Sequence, residues 1–413
     1  MMWRDGEVLD RIRSWGREGM RCAELHVRLT AAPRGSGSLQ PGESLRAVAY
    51  EAVTGLPEPG ERVRLEVSAL DRALGTGGHA MVAARLDVLP EDPPGDGHLV
   101  KVRYMPDQVM VAGVDEQGAE HHALLSAPVG ELDLQGCPVV VADLHSSLPA
   151  VLAGIRAYST DGAHVSSSMP AAPVGAAGPA TATTLPRVVY VMSDGGALPL
   201  PYSRAVAGLR EAGWIAGTVS AGQAWGGDVE AVSVHNALLA ARHVLGAHVI
   251  VLIQGPGNLG TDTPWGFSGL ACGDAVNAVA VLGGRAVACL RVSQADPRPR
   301  HRGVSHHSLT AYGRVALAGA DVVVPALPGE LGRMVAHQAG ALCDPRTQGQ
   351  RHRLVTIPLD GLRQALESVE RETGVRLSTM GRGLDGDEAA FLAAAAAGRH
   401  AAALLESGAQ RSG

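Results

Sequence analysis

Two kinds of hydrophobic pattern divide this chain. Up to about residue 130, apolar and polar positions alternate: Ala23, Leu25, Val27 and Leu29 interleave with Glu24, His26 and Arg28, and Val63, Leu65 and Val67 with Arg62, Arg64 and Glu66. Successive strand side chains point to opposite faces, so a period of two predicts half-buried antiparallel strands. Stretches such as PRGSGS, LPEPGE and EDPPGDG separate them as turns, which points to a small barrel or sandwich. From Cys137 onward the pattern becomes seven short apolar runs spaced by helix-length segments: CPVVVAD, RVVYVMS, GTVSAG, HVIVLIQ, AVACLRV, DVVVP and HRLVTIP. Strands covered on both faces look like this, so the predicted fold is α/β. A Rossmann-like, doubly wound, mostly parallel sheet follows a smaller β-rich domain.

The expected organisation is a β-rich domain over 1–130, the α/β domain over 131–378 and a helical tail over 379–413. Within the α/β part a helix is predicted from Asp228, with Asp228 as its cap, Val234, Leu238, Ala241 and Leu245 on one face and Gly246 as its stop. A second helix is predicted from Ser305 as N-cap, presenting Leu309, Tyr312 and Ala316. The stretch 159–186 carries one charged side chain amid Ala, Pro, Gly, Ser and Thr, and is expected to be a disordered insertion. The alanine-rich tail helix, with Phe391 and Leu392, is expected to cap the sheet or to meet another subunit in a homo-oligomer.

Composition narrows the function classes. The 413 residues are 46% hydrophobic with a formal net charge of −6, which fits globular packing and argues against nucleic acid as a partner, since that affinity rests on phosphate neutralisation. Neither a signal-peptide core nor an uninterrupted apolar span is visible, so a cytoplasmic protein without a membrane partner is expected. The five cysteines form no CxxC pair, and neither a disulfide framework nor a cysteine zinc site is indicated. Lys101 is the only lysine; no Walker A loop exists, and pyridoxal chemistry would have to use this one residue. In the run LVKVRY, with Val100, Val102 and Tyr104 on one face, Lys101 is expected on the solvated face of a strand. HExxH and GxSxG are both missing.

Polar residues recur where the predicted strands end. The loops are DLHSS, SDGGALP, AGQAWGGD, QGPGNLGTDTPWGFSG and the segment after Arg291. A parallel sheet would gather them on one edge, where such folds bind ligands. The last loop is the most distinctive: Arg298 to His307 holds three arginines and three histidines in ten residues. Arg298, Arg300 and Arg302 are candidate anion ligands, with Ser305 at a helix start and with Gly195, Gly196, Gly255 and Gly257 allowing close backbone approach. GPGNLG has the GxGxxG spacing, but Pro256 and the following TDTPWG delay the helix, so it is not assigned to a dinucleotide. Asp194, His301 and His145 are the acid–base candidates. Asp143, Asp228 and Asp296 also follow strands and could pair around Mg²⁺, although Asp296 is equally suited to the neighbouring arginines. His306 and His307 are adjacent and should point about 100° apart on a helix, so no metal-ligand set is assigned, and the cofactor stays unknown.

The strings SDGGALPL, AGQAWGGDVEAVSVHNALLAARHVLGA, GFSGLACGDAVNAVAVLGG, ADPRPRHRGVSHHSLTAYGRVALA and STMGRGLDGDEAAFLAAAAAGRHAA together resemble domain-of-unknown-function family 3866. That resemblance implies a bacterial cytoplasmic protein and supplies no activity, substrate or catalytic residue; the 159–186 stretch departs from the family pattern. Function is therefore expected from the loops: binding of a small anionic metabolite, either in a hydrolase or transferase using acid–base residues, or in a noncatalytic ligand sensor or interaction module.

Overall fold

The computed structural model describes residues 1–75, 77–92, 95, 97–165, 185–344 and 352–409. Strands β1 (Trp3–Trp15), β2 (Cys22–Ala31), β3 (Ser44–Tyr50), β4 (Arg62–Glu66) and β5 (Ala80–Arg85) close into a barrel of order β1-β2-β3-β5-β4. Alternation chooses what fills it: Ala23, Leu25, Val27 and Leu29 of β2 and Val63, Leu65 and Val67 around β4 are all buried against one another. Closure leaves this sheet without an open edge. Glu24, expected among the exposed positions, is instead buried and gathers Arg13, Arg46 and His79.

A two-stranded ribbon, β6 (Leu99–Lys101) and β7 (Val109–Val111), joins the barrel to the second domain. Here the expectation for Lys101 fails. Its side chain is 1% exposed, while Tyr104 is 90% exposed. The ammonium donates to the carbonyls of Ala224 and Ala231, both at 2.9 Å, and lies 3.4 Å from the Glu230 carboxylate. Alternation identifies two faces but not which one is covered, and a lysine can be buried when every donor meets an acceptor.

The second domain alternates strands and helices: β8 (Pro138–Ala142), α1 (Leu148–Val165), β9 (Val188–Ser193), α2 (Arg204–Glu211), β10 (Gly217–Ala221), β11 (Val229–Ala231), α3 (Val234–His243), β12 (Val249–Gln254), α4 (Ala271–Val281), β13 (Arg285–Cys289), the short ribbon β14 (Val292–Ser293) and β15 (Gly303–Val304), α5 (His306–Thr310), β16 (Asp321–Pro325), α6 (Gly329–Leu342), β17 (Arg353–Ile357), α7 (Leu362–Thr373) and α8 (Glu388–Ala409). Eight strands form one all-parallel sheet of order β11-β10-β9-β12-β8-β13-β16-β17. Its faces are covered separately, with α1, α2, α7 and α8 on one and mainly α3, α4 and α6 on the other.

The eighth strand is β11, which the sequence reading had merged into a helix starting at Asp228. The helix in fact begins at Val234, capped by the Ser233 hydroxyl accepting from Asn236 N–H. Asp228 accepts from the Thr218 N–H and pairs with Arg210, holding the edge strand in place, and so is not a helix cap. Of the 159–186 stretch, 166–184 lies outside the described residues, and α1 runs seven residues into it. The tail helix α8 packs on the sheet beside α1, and glycines set how closely. A methyl at Gly154 would overlap the Ala395 carbonyl, and one at Gly398 the Val151 carbonyl. Among the described residues no helix is long and apolar enough to cross a membrane.

Candidate functional site

An all-parallel sheet puts the ends of β8, β9, β10, β12 and β13 on one edge. The connection leaving β8 turns to the face of α1, whereas that leaving its neighbour β12 turns to the face of α4. Diverging connections open a crevice outside adjacent strand ends, where doubly wound folds hold ligands. Asp143 follows β8 and Gln254 ends β12, so both sit where these connections diverge.

The loops there are tied together in series. Asp194 accepts from the Gln223 N–H at 2.9 Å, bracing the loop after β9 against the loop after β10. Ala197 N–H donates to the Pro256 carbonyl at 2.8 Å. At this junction the glycines make room for protein: a methyl at Gly195 would strike the Gln254 side chain, one at Gly196 the Gly255 carbonyl, and one at Gly255 the Ala197 carbonyl. Gly257 differs. It is exposed, has φ +85°, and a methyl there would meet only the Gly75 carbonyl at 3.8 Å. Arg300 pairs with Asp262, linking the loop after β12 to the basic segment.

Three buried polar side-chain atoms at this edge have no hydrogen-bond partner: Asp143 Oδ2, Gln254 Oε1 and Asn258 Nδ2. The Gln254 amide N–H group reaches the Asp143 carbonyl at 2.9 Å and Asn258 Oδ1 at 2.7 Å, so these three residues form one chain of contacts. Leaving a buried polar atom without a hydrogen bond costs about 1–3 kcal/mol, so each of these three calls for an explanation.

The predicted site residues divide into groups. His145 is held at both nitrogens, by the Tyr190 hydroxyl at 3.1 Å and the Ser203 hydroxyl at 2.7 Å, and burial pushes its pKa down to about 4. Arg298 makes a two-pronged pair with Asp296, both contacts 2.9 Å, and the guanidinium holds that carboxyl well below the usual range. Arg300 and Arg302 are exposed on the loop, and Arg291 reaches the His307 Nδ1 at 3.3 Å. Ser305 caps α5 through the His307 N–H and meets His301 Nδ1 at 2.8 Å. Asp194 and His301 do not meet. Each has its own partner, the Gln223 N–H for Asp194 and the Ser305 hydroxyl for His301.

What the sequence did not predict is the convergence of the histidines. His306 and His307 were expected to diverge, yet their ring centroids are 4.5 Å apart, and those of His301 lie 4.9 and 5.0 Å from them. One ligating atom from each imidazole falls within 4.8 Å of the other two. At the first turn of a helix no preceding turn restricts χ1, so neighbouring side chains can swing together. Phe267 completes the cluster, stacked flat on His307 at 3.8 Å. Burial first, then the charges of Arg291 and Arg298, push the His301 pKa down to about 3; burial and His307 lower His306 as well. Asn258 and Phe267 carried no recognisable signal in the sequence.

A large surface cleft lies elsewhere, between β1, α2 and the turn after α7. Among the described residues five arginines line it: Arg13 pairs with Glu24, Arg17 and Arg210 share Asp228, Arg376 pairs with Glu370, and Arg204 stands beside them.

A family model for a protein of unknown function, DUF3866, matches residues 46–398. The chain belongs to the DUF3866 family. The match runs from β3 of the barrel into α8, so it takes in every loop of the sheet edge. No curated protein and no solved structure matches the chain.

Proposed function

We propose that this DUF3866 protein binds a small anionic metabolite, bearing phosphate or carboxylate, at the carboxyl edge of its parallel sheet. The observation that carries the reading is the row of unpartnered polar atoms on Asp143, Gln254 and Asn258, with Arg291 beside His307, itself 3.7 Å from Asp143, Arg300 tied to the loop after β12, and Arg302 exposed on the same basic segment. Gln254 and Asn258 supply hydrogen-bonding groups, Gly257 an exposed backbone, and the arginines the charge. Arg298 is left out of this role because the buried Asp296 grips it with two contacts, whereas Arg300 pairs with Asp262, whose side chain is exposed and can yield it to a ligand. Asp194 and His301 are engaged by different partners, the Gln223 N–H and the Ser305 hydroxyl, which favours a binding role over acid–base chemistry shared by those two residues, since a proton relay needs contact at about 3 Å.

Calorimetric titration with a panel of inorganic phosphate, pyrophosphate and di- and tricarboxylates tests this. Arg300→Ala and Arg302→Ala should each weaken the best ligand by about 1.5–3 kcal/mol where a charge-assisted hydrogen bond is lost. Arg376→Ala, in the other cleft, should leave it unchanged. Equal affinities in all four proteins would refute the assignment.

A further inference from the structure

We infer that His301, His306 and His307 form a divalent-metal site of the zinc class, with Asp143 as the carboxylate behind His307. This goes beyond the anion reading and stands on the imidazole cluster alone.

Three features support it. First, the three ligating atoms are mutually within 4.8 Å. Nitrogens bound to one tetrahedral Zn²⁺ at about 2.0–2.1 Å stand roughly 3.3 Å apart, so side-chain rotations of about an ångström close the set. Second, the rings are held from behind. Ser305 Oγ fixes His301 through Nδ1 at 2.8 Å, and Phe267 stacks on His307. Outer partners of this kind set tautomer and orientation in metal-binding histidines. Third, Asp143 is 6% exposed, its Oδ2 has no hydrogen-bond partner, and that atom lies 3.7 Å from His307 Nδ1. A carboxylate so placed accepts the Nδ1 proton of a histidine that ligates through Nε2. This requires the Arg291 guanidinium, now 3.3 Å from the same nitrogen, to move off it.

The chemistry of the donors suits the ion. All-imidazole donors suit zinc, cobalt or nickel better than magnesium or calcium, which take oxygen. Three protein ligands leave a fourth position open, and with Arg291 and Arg300 nearby that position suits an anionic group or a water.

The test uses the full-length protein stripped with a chelator and titrated with Zn²⁺ alone, then with Co²⁺ for its visible spectrum. One equivalent should bind, with the intense d–d bands of a low-coordinate cobalt site. His301→Gln, His306→Gln and His307→Gln should each lower affinity at least 100-fold, Asp143→Asn by 10- to 100-fold, and His235→Ala, on the exposed start of α3, should not change it. X-ray absorption of the zinc-loaded parent covers the case in which a variant misfolds: imidazole scattering supports the site, and sulfur in the first shell overturns it. Failure of the parent to bind Zn²⁺, or an equal loss in His235→Ala, also overturns it. Neither phosphate nor a carboxylate of the panel is added in these titrations, so this result and that of the anion panel are distinguishable.

Discussion

Replacing the only lysine should destabilise this protein strongly, even though substitution of a lone lysine is usually a surface change. Lys101→Met keeps the length of the stem and removes the ammonium. Two carbonyls at 2.9 Å, on Ala224 and Ala231, lose their donor, and Glu230, 6% exposed, loses its counter-charge and keeps the Gly226 N–H at 2.6 Å. Removing one partner of a buried pair costs about 3–5 kcal/mol, a large share of the ~5–15 kcal/mol that holds a typical protein folded. Urea unfolding at 25 °C, followed by circular dichroism, reads the loss. The sign of its pH dependence is fixed. Burial pushes the Glu230 carboxyl above its ordinary value, so the folded state binds a proton more readily than the unfolded chain, and stability rises as pH falls toward the ordinary carboxylate range. Lys101→Met should therefore cost less at pH 5.5 than at pH 8, and Lys101→Met should cost less in a Glu230→Gln background. A loss below about 1 kcal/mol at pH 8, or one that is equal in both backgrounds, would refute a paired buried lysine.

Amine-directed labelling of the native protein should modify the amino terminus alone, with Lys101 reacting only after unfolding; immediate labelling of Lys101 would contradict its burial. Burial alone would raise the Glu24 pKa, but hydrogen bonds from Arg13 and His79 hold it at about 2, so acid titration should show stability lost as pH falls from about 4.5 toward 2, and Glu24→Gln should flatten that segment. Gly398→Ala should destabilise by roughly 1–3 kcal/mol because the methyl overlaps the Val151 carbonyl. Helix propensity alone predicts the opposite sign, a gain of about 1 kcal/mol, so thermal melting of this variant decides whether packing or propensity governs the contact between α1 and α8.

Much of the architecture was legible because burial imposes period. The alternation over Ala23–Leu29 and Val63–Val67 marked barrel strands, and the unbroken runs from Cys137 marked a parallel sheet. A three-residue edge strand such as β11 leaves too short a pattern to register, and Asp228 beside it resembles a cap. The face of Lys101 was illegible because its acceptors come from residues 224 and 231, more than a hundred positions away. Ser305 as N-cap and Asp296 beside its arginine were readable, both being local. The meeting of His301, His306 and His307 with Asp143 was not, since it depends on how the loop after β13 folds back over β8.

The central claim concerns where an anion sits, and a crystal of the protein grown with selenate, a phosphate-sized anion with an anomalous signal, tests it most directly. The account predicts an anomalous peak within hydrogen-bonding distance of Arg291, Arg300 or Arg302, over the crevice between Asp143 and Gln254. A peak in the cleft beside Arg376 and α2, or an unoccupied sheet edge in a crystal that binds selenate elsewhere, would contradict it.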